Sequence, residues 1–87
     1  MAAGSQFARY INPLLSALKN LGGSARPAEA KAAVAELLRL PGGVLEDQLE
    51  SGSSRFENQV GWARYYLVRS GHIDSSRRGV WALTEKV

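Results

Sequence analysis

The chain has 87 residues, no cysteine and a formal net charge of +3. That length gives one domain, which buries only about 60% of the surface its unfolded chain exposes. The 45% apolar content is that of a globular chain, the lack of cysteine excludes disulfides and thiolate metal sites, and no apolar run reaches the roughly 18 residues of a membrane span.

Charge placement says more than its sum. Residues Met1 to Glu50 carry five basic residues (Arg9, Lys19, Arg26, Lys31, Arg39) and five acids (Glu29, Glu36, Glu46, Asp47, Glu50). Residues Ser51 to Val87 carry six basic residues (Arg55, Arg64, Arg69, Arg77, Arg78, Lys86) against three acids (Glu57, Asp74, Glu85). The whole excess therefore lies in the C-terminal part, the pattern of a surface that meets a polyanion; an ordinary solvated basic surface is the alternative.

Met1 to Gln6 is small and polar, lacks the apolar core of a signal peptide, and reads as a disordered tail before a domain over residues 7–87. In "INPLLSALKNLGG", Asn12 is expected to cap a first helix with Pro13 at its first position. Leu14, Leu15, Leu18 and Leu21 make its apolar stripe, Gly22 ends it, and Phe7, Tyr10 and Ile11 extend it backwards. Pro27 starts a second, alanine-rich helix whose buried face is expected from Ala30, Val34, Leu37 and Leu38. Pro41-Gly42-Gly43 breaks it. "VLEDQLE" then makes an extra turn or two, with Leu45 and Leu49 four apart, and "SGSS" forms a flexible hinge.

The third helix is "RFENQVGWARYYLVRS", buried through Phe56, Val60, Ala63 and Leu67 at helical spacing and ended by Gly71. Ile73 opens a short strand, residues 75–79 turn, and Val80 to Leu83 return. Val80 and Ala82 face one way, Trp81 and Leu83 the other. A lone hairpin is marginal in water, so Val80, Leu83 and one tryptophan should pack onto the helices. Three helices followed by a basic-tipped hairpin predict a mainly α winged helix-turn-helix: three core helices, a β-wing, and an extra turn between helices two and three.

Asn58, Gly61-Trp62-Ala63, Leu67, Gly71 and the run Gly79-Val80-Trp81-Ala82-Leu83-Thr84, together with Pro13, Leu14 and Leu15, carry a family likeness. The chain resembles the N-terminal domain of Mrr-like restriction endonucleases, from about Phe7 onward. The resemblance implies a DNA-binding module that precedes a nuclease domain of the PD-(D/E)xK type, which cuts foreign and often modified DNA. The absence of cysteine fits a reducing, cytoplasmic setting. The chain departs from the family at Gln59, where arginine is common, at His72, where an apolar residue is usual, and at Val87, where a glycine often stands. On that last point the chain is expected to be a fragment.

The face of the third helix opposite its apolar stripe carries Asn58, Tyr65 and Arg69, with Arg55 and Trp62 at its edge. The first residues of such a helix meet base edges in helix-turn-helix proteins. Asn58 and Gln59 suit adenine, and arginine suits guanine. Ser53 and Ser54 can meet phosphate, although Ser54 can equally cap the helix. Trp62 is expected beneath "VLEDQLE"; stacking on sugar or a displaced base is its alternative. Arg77 and Arg78, adjacent at the hairpin tip, fit phosphates or the minor groove.

Catalysis finds no support. His72 is the one histidine, with no ligand cluster beside it. Glu29-Ala30-Lys31 mimics half of a nuclease motif, but no acid precedes it to hold a metal, and it lies on a predicted helix. The expected function is a non-catalytic module for double-stranded DNA, methylated or not, without cofactor, metal or membrane. A winged helix that contacts protein is the alternative.

Overall fold

A computed structural model of the chain describes residues 3–49, 52–74 and 76–85. A 3-10 helix, Ala3–Tyr10, runs directly into α1, Ile11–Asn20. The expected tail is thus partly helical: Ala3 to Gln6 belong to this lead, while Met1 and Ala2 lie outside the described residues. The lead also removes the need for a cap at Asn12. The cap position falls on Tyr10, which makes no side-chain cap bond, and Asn12 and Pro13 sit inside the first turn, where a missing N–H does no harm.

After α1 come β1 (Ser24–Ala25), α2 (Pro27–Leu38), α3 (Gly42–Glu46), α4 (Arg55–Arg69), β2 (Ile73–Asp74) and β3 (Trp81–Leu83). Pro27 opens α2 as expected, and Glu29 turns back so that its Oε1 accepts from the Arg26 N–H at 3.1 Å. This satisfies one of the amide donors left over at a helix start. At the other end Arg39 adopts a left-handed backbone, φ 52°, and Leu40 N–H returns to the Ala35 carbonyl at 3.1 Å. Glycine usually fills that position.

The hairpin strands β2 and β3 pair antiparallel, Ile73 opposite Leu83 and Asp74 opposite Ala82. A third strand joins them. β1 pairs with the other edge of β3, Ser24 opposite Ala82 and Ala25 opposite Trp81, giving the order β1-β3-β2. The result is a mainly helical domain with a small three-stranded antiparallel sheet, compatible with a winged helix. Trp81 and Leu83 share the face toward the core, as the alternation predicted, whereas Val80, expected in the strand and packed onto the helices, precedes β3 and is not part of the core cluster.

The core gathers Tyr10, Leu14 and Leu18 from the first helical segment, Val34 from α2, Phe56, Val60 and Leu67 from α4, and Ile73 and Trp81 from the sheet. Tyr10 meets Phe56 edge-on, with ring centroids 5.4 Å apart. Each fully buried large aliphatic side chain contributes about 1.5–3 kcal/mol. Three expected core residues lie elsewhere. Leu37 and Leu38, given to the buried face of α2, are exposed, and so is Leu21 at the end of α1. The α2 face closes through Ala30 and Val34, and no described element covers its last turn.

Two ties fix the end of α4 to the sheet. Gly71 takes a positive φ of 85° and lets His72 N–H reach the Leu67 carbonyl at 2.8 Å. Thr84 then returns to this corner, with its hydroxyl donating to the Gly71 carbonyl at 2.6 Å and its N–H to the His72 carbonyl at 3.0 Å. Among the described residues no helix is long and apolar enough to cross a membrane.

Candidate nucleic-acid interface

The segment before α4 folds back on itself through main-chain hydrogen bonds. Leu49 N–H bonds the Ser53 carbonyl at 2.8 Å, and Arg55 N–H bonds the Asp47 carbonyl at 2.8 Å. The Asp47 carboxylate also holds the Arg55 side chain, Oδ2 to Nε at 2.8 Å. This loop sets the start of α4 and brings Leu49 over its side; Glu50 and Ser51 lie outside the described residues. Ser54 caps the helix, its Oγ accepting from Glu57 N–H at 3.2 Å and donating to the Leu45 carbonyl. Its hydroxyl is therefore committed within the fold. Ser53 is exposed.

Asn58, Tyr65 and Arg69 emerge on the exposed face of α4 as predicted. Gln59 does not. It is only 6% exposed, and its Oε1 faces Arg9 Nη2 at 3.5 Å. A base reader must reach the groove of its ligand, so the burial of Gln59 stands against the base-reading role expected for it. Trp62 departs in the opposite sense. "VLEDQLE" does not cover it, and it is 51% exposed.

Trp62 is part of a larger feature. It meets Tyr65 edge-on, centroids 5.9 Å apart and planes at 90°, and Tyr66 packs against Phe7 of the 3-10 helix at 6.0 Å. With Leu49 these rings line an open groove of about 640 Å³ along α4. Arg69 closes one end, donating to the Tyr65 hydroxyl at 3.1 Å with its guanidinium 5.8 Å from that ring's centroid. Arg55 and Asn58 stand at the other. Phe7, Leu49 and Tyr66 were not among the residues the sequence marked for the site. Tyr66 was legible as the neighbour of Tyr65, but the contributions of Phe7 and Leu49 depend on tertiary placement.

At the hairpin tip, Arg77 and Arg78 are both exposed. Ser76 N–H donates to Asp74 Oδ1 at 2.8 Å, and Val80 N–H closes onto the Arg77 carbonyl. Hydrogen bonds from Ser76, with the nearby charge of Arg77, hold the Asp74 carboxyl below its ordinary value. Arg77 thus has an acid nearby that the sequence spacing concealed. Ser75 lies outside the described residues.

The remaining arginine of α4 serves the core. Arg64 lies over the buried Trp81 ring at 5.7 Å, with Lys31 at 5.9 Å, and Lys31 pairs with Glu57 at 3.4 Å. Lys31 is thus employed in packing and an ion pair, and Glu29 in capping. His72 Nδ1 lies 2.7 Å from Ser70 Oγ. Among the described residues no group of three or more His, Cys, Asp or Glu is placed to hold a metal.

Fold and surface together define a small helical domain with an antiparallel sheet, whose longest helix presents an aromatic groove edged by arginine. The chain belongs to the Mrr N-terminal domain family, whose model matches residues 7–86. This associates it with Mrr-like restriction systems. No curated protein and no solved structure gave a significant match.

Proposed function

We propose that this chain is a non-catalytic module that binds double-stranded DNA and directs the nuclease of an Mrr-like restriction system to its target. The observation that carries the reading is the set of arginines at the surface of α4 and of the β2–β3 turn. In residues 51–87, which hold the +3 excess, Arg69, Arg77 and Arg78 are exposed, with Arg55 partly so, while the acids Glu57, Asp74 and Glu85 are exposed as well. Family membership supports the same reading.

In this reading α4 enters the major groove by its first turns. Asn58 offers an amide donor and acceptor to a base edge. Arg55 and Arg69 approach the strands on either side, and Arg77 and Arg78 meet phosphate and fix the register without reading sequence. Ser54 holds the helix start, and Gln59 supports it from within. Methylation of the target would be sensed where the Asn58 face meets the base edges.

The test is a titration of a labelled duplex at rising salt. Each phosphate neutralised adds about 0.9 to the slope of log affinity against log salt, so a steep slope is expected. The aromatic groove favours a protein contact instead, and binding insensitive to salt, or no binding even at low salt, would support that second reading.

A further inference from the structure

We infer that the aromatic groove on α4 receives one unstacked base of a DNA duplex, a bulged or mismatched nucleotide turned out of the stack. The inference rests on the duplex-binding reading above and names what that surface would select.

The rings are the first observation. Base edges in a major groove present donors, acceptors and the thymine methyl group, to which a half-exposed indole offers one N–H donor and a ring edge. Its flat face answers the flat face of a base, which a paired and stacked duplex hides. In the groove the Trp62 and Tyr65 rings stand at 90°, so one ring serves as a floor and the other as a wall. Tyr66 and Leu49 complete an apolar lining. The volume, about 640 Å³, is within the usual range for a small planar ligand.

Charge is the second. Arg69 is tied to the Tyr65 hydroxyl and has no carboxylate within ion-pair distance among the described residues. Arg55 at the opposite end keeps part of its guanidinium exposed beside Asp47. The two arginines are separated by about 21 Å of helix at 1.5 Å per residue, about six steps of a strand at 3.4 Å each, and the rings lie between them. They would therefore meet phosphates several nucleotides to either side of the extruded base, Arg69 with its full charge and Arg55 with what Asp47 leaves of its own. An apolar peptide would use the rings but leave Arg69 without a counter-charge. Asn58, which also lines the groove, can bond the exposed edge of the base.

The experiment compares three ligands with the 87-residue chain: a duplex, the same duplex with one extra unpaired adenine, and the single strand. Tryptophan fluorescence separates the two indoles, because Trp81 is buried and Trp62 is not. The bulged duplex is expected to bind about 5- to 150-fold more tightly than the intact one, the fold equivalent of one base stacked on an aromatic side chain, with quenching of Trp62. Trp62→Ala should bring the ratio of the two affinities close to one, and Trp62→Phe should keep part of it. Tyr65→Ala gives a second route should Trp62→Ala unfold, as judged by circular dichroism. Equal binding of intact and bulged duplex without quenching overturns the inference and leaves duplex binding standing. Single strand bound as tightly as the bulged duplex overturns the duplex source of the base. Failure to bind any of the three overturns both readings and gives the groove to a protein partner.

Discussion

Replacing Arg77 and Arg78 together by alanine isolates what the hairpin tip contributes to DNA binding. Both side chains are exposed and enter no ion pair among the described residues. The turn itself is held by the Ser76 N–H to Asp74 bond and by main-chain closure onto the Arg77 carbonyl, neither of which needs a guanidinium. Surface changes of this kind usually alter stability by less than about 0.5 kcal/mol, so the variant should melt with the native chain. If both arginines neutralise phosphates, their removal lowers the salt slope by about 1.8. A fourfold rise in salt then costs the variant about twelvefold less affinity than it costs the native chain. Asp74 already offsets some of the Arg77 charge, which puts the expected drop between about 0.9 and 1.8. The assay is fluorescence anisotropy at four or more salt concentrations on two duplexes of unrelated sequence, with the loss equal on both. A folded double variant with unchanged affinity and slope would refute the reasoning and leave the tip as ordinary solvated turn.

Four further outcomes follow from the same geometry. Asn58→Ala should flatten preference among duplexes by about 1–3 kcal/mol of discrimination while the fold holds; Gln59→Ala should instead lower thermal stability, since a buried polar contact is lost at a cost of about 1–3 kcal/mol, and the two are separated by paired melting and binding measurements. Arg39→Gly should raise the melting temperature, because a left-handed backbone costs a side-chain-bearing residue about 1–2 kcal/mol and 1 kcal/mol moves Tm by about 4–8 °C in a domain of this size; an unchanged or lower Tm would contradict it. Asp74 has its pKa lowered in the folded state, so its stabilising contribution is present above the unfolded value, about 3.8, and is lost as pH falls through the lower folded value. Thermal melts of the native chain and Asp74→Asn should therefore differ near neutral pH and converge in acid.

What the sequence revealed depended on how local the cause was. Pro27, Gly71 and Gly79 act within a turn of themselves, and the boundaries near them emerged close to expectation. The apolar stripe of α4 was legible from spacing alone. Gln59 was equally legible by spacing and was misplaced because its amide suggested a reader. At about 100° per residue it lies about 60° from Phe56, within the buried arc. Trp62 raised the opposite difficulty. It was expected beneath "VLEDQLE", but its position on the helix is far from the stripe, and it is exposed. β1 left no signal at all, since two residues are too few to show alternation, and only pairing with β3 makes Ser24 and Ala25 a strand. The exposed Leu21, Leu37 and Leu38 show the limit of helical patterning: it assigns a face, but not whether another element lies over it. The groove required Phe7 and Leu49 to arrive from two distant segments.

The placement of β3 at the centre of the sheet governs how the chain can reach its native state. Ala82 pairs with Ser24 across 58 positions of sequence, and Trp81 fills the core beneath Arg64 and Lys31. Contacts this distant make the ordering of the chain slow relative to a simple helical bundle of equal length. During synthesis the helices emerge first, yet β1 has no partner and the core lacks an indole until Trp81 leaves the ribosome. Until then the Leu and Val faces of α1, α2 and α4 stand open to other chains. Loss of as few as seven residues from the end of the 87 would remove the central strand and leave β1 and β2 with nothing between them.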